Sequence, residues 1–264
     1  MILGMEKELD HRKKLLANGF SSDHLMMINV FNQWKRLERN SADERSFCYE
    51  NFLSLPILSM VSKMRDQFAE YLHNSGFLSS SKVNDPEHNI YSEKDGVILA
   101  VLAGGLYPNI AKIKHRKKKQ HQKGPYKFPP KLMDKRDHNL CLHPRVLFFP
   151  EHLTNYDWVC YFEKLKTKAI NLYDMSVVDP IALLLFGRNL VTNSESSLTE
   201  KFSTLVEIDG WMKLAGKTDK LSALLHLRLE LDKMIHKKVM DPYNLLSPNE
   251  IALRRILVDI LCNQ

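Results

Sequence analysis

A chain of 264 residues, 44% hydrophobic and 26% charged, suits one large globular domain or two small ones and excludes a disordered chain. The opening "MILGMEKELD" lacks the apolar run of a signal peptide. The longest apolar stretch, Pro180 to Gly187, falls short of the roughly 20 residues of a membrane-spanning helix. The net charge of +7 is uneven: Lys112 to Arg136 holds eleven Lys and Arg against Asp134 alone, so the rest of the chain is mildly acidic. Such a segment fits a polyanion ligand, and equally a solvated basic loop.

In chain order, the first third reads as a helical bundle. Ser22 or Asp23 is placed to cap a helix in which Met27, Val30, Phe31 and Trp34 share one face. Pro56 suits a first helical turn, followed by Ile57, Val61, Met64, Phe68 and Leu72 at helical spacing until Gly76. These Met and aromatic stripes read as core. A polar connection follows around Ser79 to Ser92. An apolar helix then runs from Val97 to Ala103, breaks at Gly104-Gly105, and gives way to an alternating segment in which Ile110 and Ile113 flank lysines.

"RVLFFP", "WVCYFEKLKT", "AINLYDMSVV" and "ALLLFG" read as further short strands separated by Pro, Asn and Asp turns, which suggests a small β-barrel or sandwich. In the second of these, Val159 and Tyr161 point one way while Cys160, Phe162 and Lys164 point the other. "NSESSLTE" reads as a connection and "TLVEIDGW" as one more strand. A helix from about Asp219 to Val239 follows, striped by Leu221, Leu224, Leu227, Leu231, Met234 and Ile235. A last helix begins at Ser247-Pro248.

Catalytic and metal chemistry find little support. "GWMKLAGKTD" contains a Gly-Lys-Thr triplet, but five residues separate Gly210 from Gly216 where a phosphate-cradling loop has four. The triplet reads as a turn before a helix. His138, Cys141 and His143 match no common zinc spacing, and the four cysteines form no C-x-x-C pair, which suits a reducing, intracellular setting. Ser22, Asp23 and His24 are consecutive at a helix start, where capping explains the serine and the aspartate. There is no G-x-S-x-G or H-E-x-x-H motif.

Nucleic-acid binding fares better. Lys112, Lys114, His115, Arg116 and Lys117 run from a strand into its loop, with Tyr107, Tyr126 and Phe128 interleaved. Lys164, Lys166 and Lys168 alternate along one predicted strand and could line one face. Like charges in such a row need solvent or a polyanion opposite, although a lysine-protected edge strand is the plainer alternative. The candidate nucleic-acid contacts are therefore Lys112, Lys114, Arg116, Lys164, Lys166 and Lys168 for phosphates and Tyr107 for stacking.

The series "SDHLMMINVFNQW", "NFLSLPILSMVSKMRDQF", "VLAGGLYPNIAKI", "HPRVLFF" and "YDWVCYFEKLKT…VVDPIALLLFG" resembles the C-terminal half of DEAH-box RNA helicases of the RNA helicase A type. It is most similar to the members that resolve G-quadruplexes. The resemblance runs from about Leu3 to the end and weakens over Lys117–Arg136 and after Asn193. It implies an α+β architecture: a helical ratchet-like domain over 1–92, an OB-fold over 93–192 and a mostly helical C-terminal extension over 193–264. It also implies ATP-driven unwinding by RecA-like motor domains that use ATP and Mg2+. The sequence carries no P-loop, D-E-x-H box or "QRxGRxGR" segment, so no cofactor is expected in this chain. The implied partners are single-stranded or G-rich RNA or DNA and the RecA-like motor domains, with no membrane, in the cytoplasm or nucleus. The ratchet helices near Asp23, His24, Asn29 and Arg65 are then expected to approach the strand. The competing expectation is a docking module that packs on a motor or partner without holding nucleic acid.

Overall fold

The computed structural model describes residues 5–19, 21–38, 40–114, 131–137, 139–143, 146, 152–193 and 203–263. Four helices come first: α1 (Glu6–Ala17), α2 (Asp23–Leu37), α3 (Ser41–Glu50) and α4 (Leu55–Asn74). Ser22 caps α2 by accepting from the Leu25 N–H, and Asn40 caps α3 by accepting from Ala42. Phe31, Trp34 and Cys48 form the small core of this bundle, with Leu55, Leu58 and Val61 packed on it. Met27 turns outward instead of joining that core.

The α4 stripe also departs from expectation. Ile57, Met64 and Phe68 are 56%, 42% and 54% exposed, and Met60, Tyr71 and Leu72 are exposed beside them. The helix is apolar over about half its circumference. One arc, carrying Leu58, Val61 and Ala69, meets the bundle, and the adjacent arc meets nothing described.

Helix α5 (Asp95–Leu106) leads into a closed barrel of β1 (Ile110–Lys114), β2 (Lys131–Met133), β3 (Leu140–Leu142), β4 (Trp158–Lys166) and β5 (Ile170–Val177). The ring order is β1-β2-β3-β5-β4, antiparallel except for β3 beside β5. This is the five-stranded Greek-key connectivity of an OB-fold. Val159 and Tyr161 point into the barrel with Ala111, Ile113, Leu132, Leu140 and Leu172. Trp158 and Cys160 point out and are covered by α5 and α6 (Pro180–Phe186), so the first half of β4 is buried on both faces.

Two elements differ from the sequence reading. The expected break at Gly104-Gly105 is helix: α5 runs through to Leu106, and a Cβ on Gly104 would lie 3.1 Å from the Phe186 ring. That glycine permits close helix packing. "ALLLFG" is helix α6, not a strand. Asp179 caps it by accepting from the Ile181 N–H, Pro180 sits in its first turn, and Ala182 to Leu185 are buried all round. "RVLFFP" lies outside the described residues except for Val146.

A second sheet follows, β6 (Leu190–Asn193), β7 (Ser203–Ile208) and β8 (Met212–Lys217), then α7 (Thr218–Met240) and α8 (Pro248–Cys262). Ser247 and Glu250 close a reciprocal capping box at α8. Hydrogen bonds from the Ser247 backbone and hydroxyl, then from Lys237, hold the Glu250 carboxyl down to about 2. Leu185, Leu231 and Leu257 knit α6, α7 and α8 together. The fold is α+β. Among the described residues no helix is long and apolar enough to cross a membrane.

The bundle meets the barrel where the start of α2 lies along β5. The Met175 N–H donates to the Asp23 carboxylate at 2.9 Å, and the Val177 N–H donates to the Ser21 carbonyl at 3.2 Å. The fully buried Ser176 hydroxyl lies 2.6 Å from Ser22 Oγ and 2.7 Å from His24 Nδ1. Replacing Asp23 with Ala leaves a buried N–H unpaired, so unfolding in denaturant should show a loss of about 1–3 kcal/mol. An Asp23→Ala variant as stable as the parent would contradict this.

Candidate nucleic-acid interface

The sequence-predicted cations do not form one row. Lys112 projects outward from β1, half-buried, with Nζ 5.3 Å from the Trp158 ring centroid. Lys114 is half-buried at the end of that strand. Arg116, His115 and Lys117 lie outside the described residues, as do Tyr126 and Phe128. Strand β4 ends at Lys166, so Lys168 stands in the β4–β5 turn and the expected run of three alternating lysines is interrupted. Lys166 and Lys168 are exposed.

Lys164 is drawn away from solvent. Its ammonium donates to Asp134 Oδ2 at 2.7 Å and to Asp137 Oδ2 at 2.8 Å. Asp134 is buried and also accepts from the Tyr161 hydroxyl at 3.0 Å and from the backbone N–H groups of Arg136 and Asp137. Burial alone would raise the Asp134 carboxyl. The bonds from Lys164, the two backbone amides and Tyr161 outweigh it and hold the group below its ordinary value. Burial alone would lower the Lys164 ammonium, but its two aspartate partners raise it. Both shifts favour the ion pair.

Next to this pair a cleft of about 750 Å³ opens between the barrel and the second sheet. Tyr107 and Tyr161 are among its walls, with the amides Asn109 and Asn189. Lys135, Arg136 and Arg188 stand exposed around it. Their side chains make no ion pair among the described residues. The acidic lining is already engaged: Asp134 as above, and Asp209 by bonds from the Tyr107 hydroxyl and from Asn189 Nδ2 at 2.7 Å. Burial, then the bond to Asp209, pushes the Tyr107 phenol up to about 12, so it stays a protonated donor. The cleft presents cations and aromatic edges to an incoming group while its carboxylates are turned to internal partners.

Lys135, Arg136, Arg188, Asn109 and Asn189 were not singled out from sequence. Lys135 and Arg136 are the tail of the basic run. Arg188-Asn189 occupies the short turn after α6, where Asn189 adopts a φ of +48°. Asp23 is buried and His24 half-buried in the α2–β5 contact. Arg65 lies 4.9 Å over the Phe31 ring, while Asn29 lines a different cleft.

The Gly216-Lys217-Thr218 triplet does not fit a nucleotide. It is the end of β8 running directly into α7, not the expected turn, and Gly216 and Lys217 are in register with Thr204 and Ser203 on β7. A Cβ on Gly216 would lie 3.2 Å from Leu221, which accounts for the glycine by close packing. Cys141 is exposed, His143 stacks on Tyr173 at 4.1 Å, and His138 is outside the described residues. The described residues contain no group of three potential metal ligands.

A family profile described as the oligonucleotide/oligosaccharide-binding (OB)-fold matches residues 98–190. The chain is 32% identical over 267 aligned residues to the ATP-dependent DNA/RNA helicase DHX36 of Homo sapiens, which covers 99% of this chain and 25% of that protein. The same helicase of Mus musculus is 34% identical over 242 residues, covering 91% and 23%. The DExH-box ATP-dependent RNA helicase DExH1 of Arabidopsis thaliana is 31% identical over 240 residues, covering 91% and 22%. The chain thus spans about a quarter of the length of these relatives.

Asp134 gives a pH signature. Its folded pKa lies below the unfolded one, so its stabilisation is present above an ordinary carboxylate pKa near 4 and is lost as pH falls through the lower folded value. Asp134→Asn should flatten the acid limb of stability below an ordinary carboxylate pKa, read as melting temperature against pH. An unchanged acid limb would contradict the pairing.

Proposed function

We propose that this chain, a region of a DEAH-box helicase by its sequence and fold, is the accessory module that grips single-stranded nucleic acid while RecA-like motor domains hydrolyse ATP. The observation that carries this reading is the cleft beside the barrel, where Lys135, Arg136 and Arg188 stand exposed, with no ion pair among the described residues. Cations hold phosphates, so a groove rimmed by them takes a polynucleotide through its backbone with little sequence preference. Structured or G-rich RNA and DNA are the ligands that fit the resemblance, in the nucleus or cytoplasm. In this reading ATP and Mg2+ belong to the motor domains, and this chain alone hydrolyses no nucleotide.

The exposed lysines of the β4–β5 turn extend the same charge. Lys166 and Lys168 are open to solvent, whereas Lys164 serves an internal pair and is the wrong residue to reverse. Titrating the chain with a G-rich single strand at two salt concentrations should show affinity falling with salt, by about 0.7 in log–log slope per phosphate neutralised. Reversing Lys135 and Arg188 to Glu should weaken binding at least about tenfold and reduce that slope by about 1.4. Binding that is absent at low salt, or indifferent to these changes, would overturn the reading.

A second reading, a docking module, is favoured by the exposed apolar arc of α4. Met64 and Phe68 offer an adjoining helix or domain the hydrophobic face that soluble monomers seldom leave bare. Met64→Lys with Phe68→Lys should abolish co-elution with a purified RecA-like motor pair and leave strand affinity unchanged. Loss of strand affinity instead would assign α4 to the nucleic-acid surface.

A further inference from the structure

The contact between the start of α2 and β5 carries a titratable group that lines neither cleft. His24 Nδ1 lies 2.7 Å from the Ser176 hydroxyl, which in turn lies 2.6 Å from the Ser22 hydroxyl. Ser22 and Ser176 are 1% and 0% exposed and face each other across an isolated antiparallel bridge. Ser22 Oγ also accepts from the Leu25 N–H at 3.0 Å. The two hydroxyls have no further hydrogen bond among the described residues.

Two hydroxyl protons and one imidazole share this line, and one arrangement satisfies every group. Ser22 donates to Ser176, Ser176 donates to His24 Nδ1, and the ring is neutral with its proton on Nε2. A protonated ring has a donor at Nδ1, so the line runs backwards. Nδ1–H then donates to Ser176, Ser176 donates to Ser22, and the Ser22 proton is left in the interior without an acceptor. The imidazolium also brings charge into a contact whose burial opposes it. Asp174 on β5 favours the imidazolium, but by less than burial opposes it. Asp23, beside the ring on α2, turns its carboxylate to the Met175 N–H. Helices α1 and α3 also pack against α2, and they bring no charged group that shifts the ring.

We infer that His24 is a proton-operated latch: its neutral ring closes the helical bundle onto the barrel, and its protonated ring loosens that contact. The stability that the latch supplies is complete above the ordinary imidazole value of 6.5 and is lost as pH falls through the lower folded value. The inference holds whether or not the chain binds nucleic acid.

The test is amide hydrogen exchange of the full chain at about pH 7.5 and about pH 5, corrected for intrinsic rates. The Met175 and Val177 amides donate across the contact and should lose protection about tenfold at the lower pH for each unit by which the ring is depressed. The Tyr161 amide, which donates to Asn109 away from the contact, should change less than about twofold. His24→Asn offers an acceptor near the Nδ1 position and does not titrate, so it should keep Met175 and Val177 protected at both pH values. If that variant does not fold, the ring of the parent decides. Its nitrogen shifts should show an unprotonated Nδ1 at the higher pH and a titration midpoint below 6.5 that coincides with the amide loss. Equal loss at Tyr161 describes global acid unfolding and overturns the latch. An absent loss in the parent, a loss that survives His24→Asn, or a proton on Nδ1 at the higher pH overturns it as well.

Discussion

The arrangement of the molecule depends on the short antiparallel contact between the start of α2 and strand β5. A helix start has backbone N–H groups without partners, and a strand beside a barrel seam has its own polar groups to satisfy. Three consecutive residues answer both needs. Ser22 accepts from Leu25 as the helix cap and also meets Ser176, while Asp23 turns its carboxylate to the Met175 N–H. His24 completes the group, and its burial lowers the imidazole pKa, favouring the neutral ring beside Ser176, against the opposing pull of Asp174. A buried polar network of this kind is favourable only when fully satisfied, so it selects one orientation of bundle on barrel.

How much of this was legible in the sequence depended on whether burial was one-sided. Ser22, Pro56 and Ser247 announced helix starts because capping is local chemistry, and the alternation of Val159 and Tyr161 against Cys160 announced β4. Helix α6 was misread because residues 182 to 185 are buried all round, and a uniformly apolar run has no period to distinguish helix from strand. Gly104 and Gly216 were read as breaks or turns, yet each marks a place where a neighbouring side chain presses on the backbone. The α4 stripe looked like core because hydrophobic periodicity reports an apolar face without saying what covers it.

The candidate interface was less legible for a related reason: a count of cations is not a count of available cations. Lys164 looked equivalent to Lys166, but the fold brings Asp134 and Asp137 round the β2–β3 turn to meet only the former. Arg188, an isolated cation in the sequence, becomes part of the cleft because α6 packs on α5, which ends just before Tyr107 in the same cleft. Such availability is set by pairings between residues 27 and 30 positions apart, and periodicity carries no trace of them.

The contrast between the two clefts follows from the same accounting of partners. At the barrel, the carboxylates are neutralised internally and the arginines and lysines are left over, so the field that reaches an incoming strand is positive. At the bundle, in the cleft between α1, α2 and the start of α5, Glu93 and Asp95 have no ion pair and the carboxamides of α2 no hydrogen bond among the described residues. Electrostatic attraction acts over about a Debye length, whereas an amide acts only at contact. The barrel side is therefore the one whose charge an approaching polyanion would feel first. The carboxamides of α2, by contrast, act only on a group already seated against them.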